Sequence, residues 1–278
     1  MRLQTNMIKE ITLPTTGATS ARESSLVTSI RETLIFAYRS TIKSLRTPES
    51  FLDITLMPVM FTLMFTFLFG GAVAGSIKDY LPIIIPGILI QTGVTSSSTA
   101  GTQLREDADK AVANRFKAMP ITRISPLAGT LTADILRYTI AGSIVFIMGY
   151  ILGFRPDAGF WTVPVSILFM TAIGWCLSWM FSFFALSASS TATAASYGMI
   201  IMFPLTFLSN AFVDTSTMPH ALGYFAEHIN PISHTIAAVR ELLMQGTIGS
   251  NFWSAIAGVL VILAIFVPLT LRKYTRRG

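Results

Sequence analysis

Long apolar runs with almost no charge constrain this chain more than any other feature of it. The first is ITLMPVMFTLMFTFLFGGAVA, Ile54–Ala74, without a single ionisable residue. The hydrocarbon core of a bilayer is about 30 Å thick, and a helix crosses it with roughly 20 apolar residues. Unpaired backbone groups are too costly there, so a run of this kind is helical if it spans. Five more stretches read the same way: Leu81–Thr102, Ala133–Phe154, Trp161–Leu186, Tyr197–Phe212 and Phe252–Leu271. The second is diluted by TSSSTAGT, and the fifth is short. Charged residues make up only 12% of the 278, about half the usual share of a globular domain. The mean hydropathy is +0.61. A soluble enzyme, a disordered chain and a coiled coil are thereby excluded as the main body. The expected fold class is an all-α polytopic membrane protein with six transmembrane helices.

The net charge of +6 would suit a nucleic-acid partner, but the placement of the basic residues argues for topology. Residues 1–50 carry seven Lys/Arg, residues 103–126 carry five, and the segment after Leu271 carries four. Arg137 lies at the same end of the third stretch. The remaining segments hold only Lys78, Arg155 and Arg240. The positive-inside bias puts both termini and the 103–126 loop in the cytoplasm. No nucleic-acid partner is expected. The first 20 residues lack the apolar core of a secretory signal.

The polar segments divide the rest. Residues 1–23 read as a disordered cytoplasmic tail. In the next segment Leu26, Ile30, Leu34, Tyr38, Ile42 and Leu45 recur at four- and three-residue steps. That stripe, with basic residues around it, predicts an amphipathic helix in the headgroup plane, closed by Pro48. Residues 24–272 form one transmembrane domain, and 273–278 a cytoplasmic tail. Residues 187–196, SASSTATAAS, read as an uncharged cytoplasmic turn. Within 213–250, Pro219 and Pro231 begin two short helices, about 219–228 and 232–245, and Gly246 ends the second. Both are too short to cross, so they re-enter the outer leaflet or cap the external side.

Residues 103–126 are the most informative polar stretch. Glu106, Asp107 and Asp109 come first, and Lys110, Arg115 and Lys117 follow. That order suits the dipole of a short helix, acidic end first. Phe116 and Met119 are apolar residues on an otherwise polar element. Two readings stand on the residues alone: a solvated loop that enforces topology, or a docking element with an apolar knob in a charged rim.

Sites for chemistry are scarce. G-x-x-x-x-G-K-[ST], H-E-x-x-H and G-x-S-x-G are all absent. No ATP site, catalytic residue, cofactor site or metal site is therefore expected in this chain. His220, His228 and His234 lie eight and six residues apart, which does not bring all three to one helix face. Asp53, Asp134 and Arg137 are the ionisable residues in or beside the spans, all near the cytoplasmic end. Asp134 and Arg137, three apart on a helix, can form a structural ion pair. The first span is rich in Phe and Met, which suits contact with flat lipophilic molecules as well as with lipid. No substrate-binding residue is singled out.

The chain resembles the permease subunits of type-2 ABC exporters, particularly the daunorubicin/doxorubicin-resistance-type branch. The resemblance covers about residues 25–272. It is carried by LRTPES before the first span, LFGG at its end, and YLPIIIPGILIQ opening the second. LREDADKAVANRFKAMPITRISPLAG and MPHALGYFAEHINPISHTIAAVRELLMQG carry it further. The resemblance implies a permease that works as a dimer, of identical or similar copies, with two copies of a separate ATPase subunit. ATP and Mg are bound by that partner. It also implies a coupling helix in the 103–126 loop. That places contact with the ATPase on Arg105, Glu106, Asp107, Lys110, Arg115, Phe116, Lys117 and Met119. The implied function is outward movement of a hydrophobic or amphipathic drug, antibiotic, lipid or glycan across a bacterial inner membrane. The alternative is a non-transporting sensor or immunity partner of an ATPase.

Overall fold

The computed structural model describes residues 48–109, 125–212 and 218–277, with six further positions between 33 and 42. The side chains of 48–53, 125, 126 and 277 lie outside that description. Among the described residues every regular element is a helix. These are α1 (Pro48–Ala74), α2 (Ile77–Asp109), α3 (Ser125–Ile151), α4 (Thr162–Ser187) and α5 (Thr191–Phe207). After them come α6 (His220–Tyr224), a π-helical turn over Phe225–Ile229, α7 (Pro231–Gln245) and α8 (Ser250–Arg277). The helix expected over 24–47 lies outside the described residues, apart from helical backbone at Thr33, Ile35, Ala37 and Ser40–Ile42.

Five helices are long and apolar enough to cross a membrane: α1, α2, α3, α4 and α8. The chain is an all-α, multi-pass membrane protein. The fifth expected span differs from the sequence reading of Tyr197–Phe212. Its helix, α5, starts at Thr191 and stops at Phe207 after 17 residues. Pro204 lies within its last turn, its carbonyl accepting from Leu208 N at 3.0 Å, and the chain turns through Leu208–Phe212. At its start, Ser190 caps the helix by accepting from Thr193 N at 3.2 Å. The uncharged turn is thus shorter than 187–196.

Other boundaries move outward, among them the start of α1, at Pro48 and not Ile54, and that of α2, at Ile77 and not Leu81. α2 runs past Thr102 to Asp109 over 33 residues, about 50 Å of helix and more than a hydrocarbon core needs. It continues because Leu104 buries against Leu127, Leu131, Trp179 and Leu186. α3 starts at Ser125, eight residues before the expected Ala133, with Leu127 and Leu131 in that same cluster. α8 runs through the expected tail as far as Arg277. Between α5 and α7, the first short helix is α-helical only to Tyr224 and continues as the π turn.

α2 is the axis of the fold. Of its most apolar window 72% is buried, against 17% for α8. It packs against α1, α3, α4, α5 and α7, and α8 lies outside against α4 and α7. The core joins Tyr80, Ile84, Ile88 and Leu89 of α2 to Tyr138 and Val145 of α3, Met170 and Leu177 of α4, and Ile236 and Val239 of α7. Two glycines of α2 permit this closeness. A Cβ at Gly87 would lie 2.1 Å from the Ala211 carbonyl oxygen, and one at Gly101 would lie 2.8 Å from the Phe181 backbone. Neither contact tolerates any side chain, because backbone is on the other side.

The end of the bundle where α5 meets α7 is stapled by two polar side chains. Asn230, fully buried, caps α7 by accepting from Ile232 N at 3.0 Å. Its amide donates to the Leu205 and Leu208 carbonyls at 2.9 and 2.7 Å, which are orphan acceptors at the end of α5. Arg240 of α7 donates to the carbonyls of Ile83 and Asn210, both at 3.1 Å. The N-P…R pattern of the sequence is therefore a structural clamp between α7, α5 and α2.

Candidate functional site

The C-terminal end of α2 carries the first three residues of the expected coupling set. Arg105 is buried. Its Nε donates to Asp109 at 3.1 Å, and its Nη2 lies 2.9 Å from the other Asp109 oxygen. The same Nη2 donates to the Ser189 carbonyl at 3.0 Å. Arg105 thus faces inward and ties the end of α2 to the α4–α5 turn. Glu106 is exposed and Asp107 half-buried. The dipole expectation needs correction here. Glu106, Asp107 and Asp109 sit at the C-terminal end of a long helix, not at the N-terminus of a short one. That is the end where acidic side chains are unfavourable, and the Arg105–Asp109 pair offsets part of the penalty. Lys110, Arg115, Phe116, Lys117 and Met119 lie outside the described residues.

One to two turns deeper, Arg137 Nη1 lies 3.0 Å from Asp134 Oδ1 and donates to Gln103 Oε1 of α2. Both charged side chains are buried. Because α3 begins at Ser125, the pair lies nine and twelve residues into the helix, deeper than a span starting at Ala133 would put it. A buried pair of opposite charge avoids the penalty of a lone ion only when both partners are present.

Arg137 also lines a groove that the sequence reading missed. Ile54, Met57, Pro58 and Phe61 of α1 form its apolar wall, and Gln91, Thr92, Thr95, Ser96 and Thr99 of α2 its polar one. Thr99 Oγ1 donates to the Thr95 carbonyl, and Thr95 Oγ1 reaches Met202 Sδ of α5 at 3.5 Å. Two buried polar atoms, Gln91 Oε1 and Arg137 Nε, have no partner among the described residues. One is an acceptor and the other a donor, so the groove presents complementary polar groups beside an apolar face, in a space of about 30 Å³ that has room for little more than a water. The signal was the TSSSTAGT stretch, where hydroxyls recur on an apolar helix.

The histidines do not converge. His228 stacks on Tyr224 with ring centroids 4.6 Å apart, and His234 Nδ1 lies 3.2 Å from Asn251 Oδ1. Among the described residues no three His, Cys, Asp or Glu side chains are grouped to hold a metal ion.

Comparison with known proteins covers the whole arrangement. The sequence model of the family "ABC-2 type transporter" matches residues 31–244. "Daunorubicin resistance ABC transporter permease protein DrrB1" of Streptomyces coeruleorubidus is 38% identical over 254 residues, 90% of this chain and 88% of that protein. "Probable doxorubicin resistance ABC transporter permease protein DrrC" of Mycobacterium tuberculosis is 22% identical over 250 residues, 88% of this chain and 89% of that protein. Helices α1 to α6 and all but the last residue of α7 fall inside the matched range, and the chain belongs to the ABC-2 type transporter family as a membrane permease.

Proposed function

We propose that this permease exports a hydrophobic or amphipathic drug-type molecule from a bacterial cell, driven by a separate ATPase subunit. The observation that carries the reading is the 38% identity, along 90% of the chain, to a daunorubicin resistance permease. Two permeases, identical or similar, assemble with two copies of the ATPase in the inner membrane, with both termini cytoplasmic. ATP and Mg reside in the partner. Its closure is received by the loop after α2, where Phe116 and Met119 form the apolar contact and Glu106, Asp107, Lys110, Arg115 and Lys117 the charged rim. Arg105 passes the displacement to the α4–α5 turn, because it bonds both the loop's root and the Ser189 carbonyl. The substrate moves along the groove between α1 and α2. Its flat apolar face lies on Met57 and Phe61 and its polar groups face Gln91, the threonines and Arg137. Coupling requires that the loop and the groove bind their partners differently in the two states.

Purification of the tagged permease from its host in mild detergent tests this. An ATPase should co-purify, and Phe116→Asp should lose it while the permease still inserts into the membrane. Recovery of the permease alone from the native protein would favour the non-transporting sensor or immunity reading.

A further inference from the structure

A second groove lies at the other end of the molecule, where α3 gives way to α4. It encloses about 380 Å³. Phe146, Ile147, Tyr150, Phe160 and Val163 line it, with Ser143 at its deep end. Ser143 has its hydroxyl occupied by the Thr139 carbonyl at 2.8 Å, so the deep end makes no polar demand on an occupant. From Ser143 to Ile151 the groove follows nine residues of α3, about 12 Å of helix between the first and the last, close to the roughly 15 Å depth of one leaflet. Ile147, Tyr150, Ile151, Phe160 and Trp161 are exposed around it. Tyr and Trp at such a place mark the level of the headgroups.

A cation is fixed at its mouth. The Arg155 guanidinium carbon stands 3.5 Å from the centroid of the Tyr150 ring, itself a lining residue. Arg155 Nη1 donates to the Tyr150 and Phe154 carbonyls at 2.8 and 2.7 Å. Nη2 and Nε make no hydrogen bond to other described residues, and the side chain is exposed. The loop that carries it is built, not slack. Phe154 N donates to the Gly149 carbonyl at 2.8 Å, and Ala158 N to the Leu243 carbonyl of α7 at 3.2 Å. A guanidinium held in place binds phosphate with less ordering than a free one. Asp157, exposed two residues on, is the opposing charge of this loop.

We propose that this groove binds one anionic phospholipid of the leaflet at the Arg155 end. An acyl chain lies along α3 between Ile147 and Phe160, and the phosphate meets Arg155 Nη2 and Nε. A leaflet-deep apolar trough under a single fixed cation matches a phospholipid. A helix from another chain would gain nothing from that cation and would have to desolvate it. The site is separate from the α1–α2 groove and does not depend on what that groove carries.

The test uses the full-length protein in nanodiscs of phosphatidylcholine with a minor fraction of phosphatidylglycerol, one or the other brominated on its acyl chains. Trp161, beside the groove, reports contact through quenching of its fluorescence. Brominated phosphatidylglycerol should quench more than brominated phosphatidylcholine at equal mole fraction, corresponding to roughly fivefold local enrichment for one interfacial Arg. Trp161→Phe should remove most of that excess, which locates it at this groove. Arg155→Gln should abolish the excess, leaving equal quenching by both lipids. Equal quenching by the two lipids in the native protein would overturn the proposal without reference to any variant. So would an excess that survives Arg155→Gln or is indifferent to Trp161→Phe.

Discussion

At the scale of the residue, the decisive feature is that charge in the buried part of this protein is paired. Asp134 and Arg137 hold each other at 3.0 Å, with Gln103 as a third partner. Arg137→Leu leaves the Asp134 carboxylate buried and uncompensated, which should cost about 3–5 kcal/mol. Thermal unfolding in detergent should fall sharply for that variant. Asp134→Leu combined with Arg137→Leu should recover most of the loss, since the pair is then replaced by apolar side chains. Gln91 predicts the opposite split. Its Oε1 has no partner among the described residues, so Gln91→Leu should leave thermal stability unchanged or improved. If the groove carries substrate, the same variant should raise the apparent KM for transport several-fold, as measured in vesicles.

The ion pair was legible in the sequence because its spacing, three residues on one helix, is itself the geometry. Arg105 was not. Its partner carbonyl belongs to Ser189, 84 residues away, and nothing local distinguishes an inward arginine from a docking one. The groove hydroxyls were visible but read only as dilution of an apolar stretch, because an averaged hydropathy discards the face on which each residue sits.

At the scale of the element, α2 organises the rest. It is long enough to cross the bilayer and carry its last turns beyond it, and it is the most buried of the five long apolar helices. Close approach along α2 depends on Gly87 and Gly101. Gly87→Leu should prevent the Leu208–Phe212 turn from seating and loosen the Asn230 and Arg240 clamps behind it. Limited proteolysis should then cut the α6–α7 segment faster than in the native protein, at unchanged membrane insertion. The spans with unbroken apolar sequence, α1 and α4, were read to within a residue or two over their apolar part. The misread ends share one cause: helices continue or stop on tertiary terms. α2 and α3 extend because Leu104, Leu127 and Leu131 bury together. α5 stops at Phe207, where the Asn230 amide takes the Leu205 and Leu208 carbonyls in place of a further helical turn.

At the scale of the whole molecule, a buried axis is surrounded by helices with apolar outer faces. Met57, Met60, Phe67 and Leu68 of α1, Met199, Ile200 and Phe203 of α5, and Leu260, Val261 and Ile265 of α8 are all exposed. In a membrane such faces meet lipid or another helix without the driving force that water would supply. A permease of this build has no nucleotide-binding motif, so on the present account its work depends on a second chain. The most direct test is doxorubicin uptake into inverted membrane vesicles from cells expressing the permease together with the ATPase that co-purifies with it. The account predicts ATP-dependent accumulation that disappears when either chain is omitted and when Phe116→Asp replaces the native permease. Accumulation that is indifferent to ATP, or that persists in full with Phe116→Asp, would contradict it.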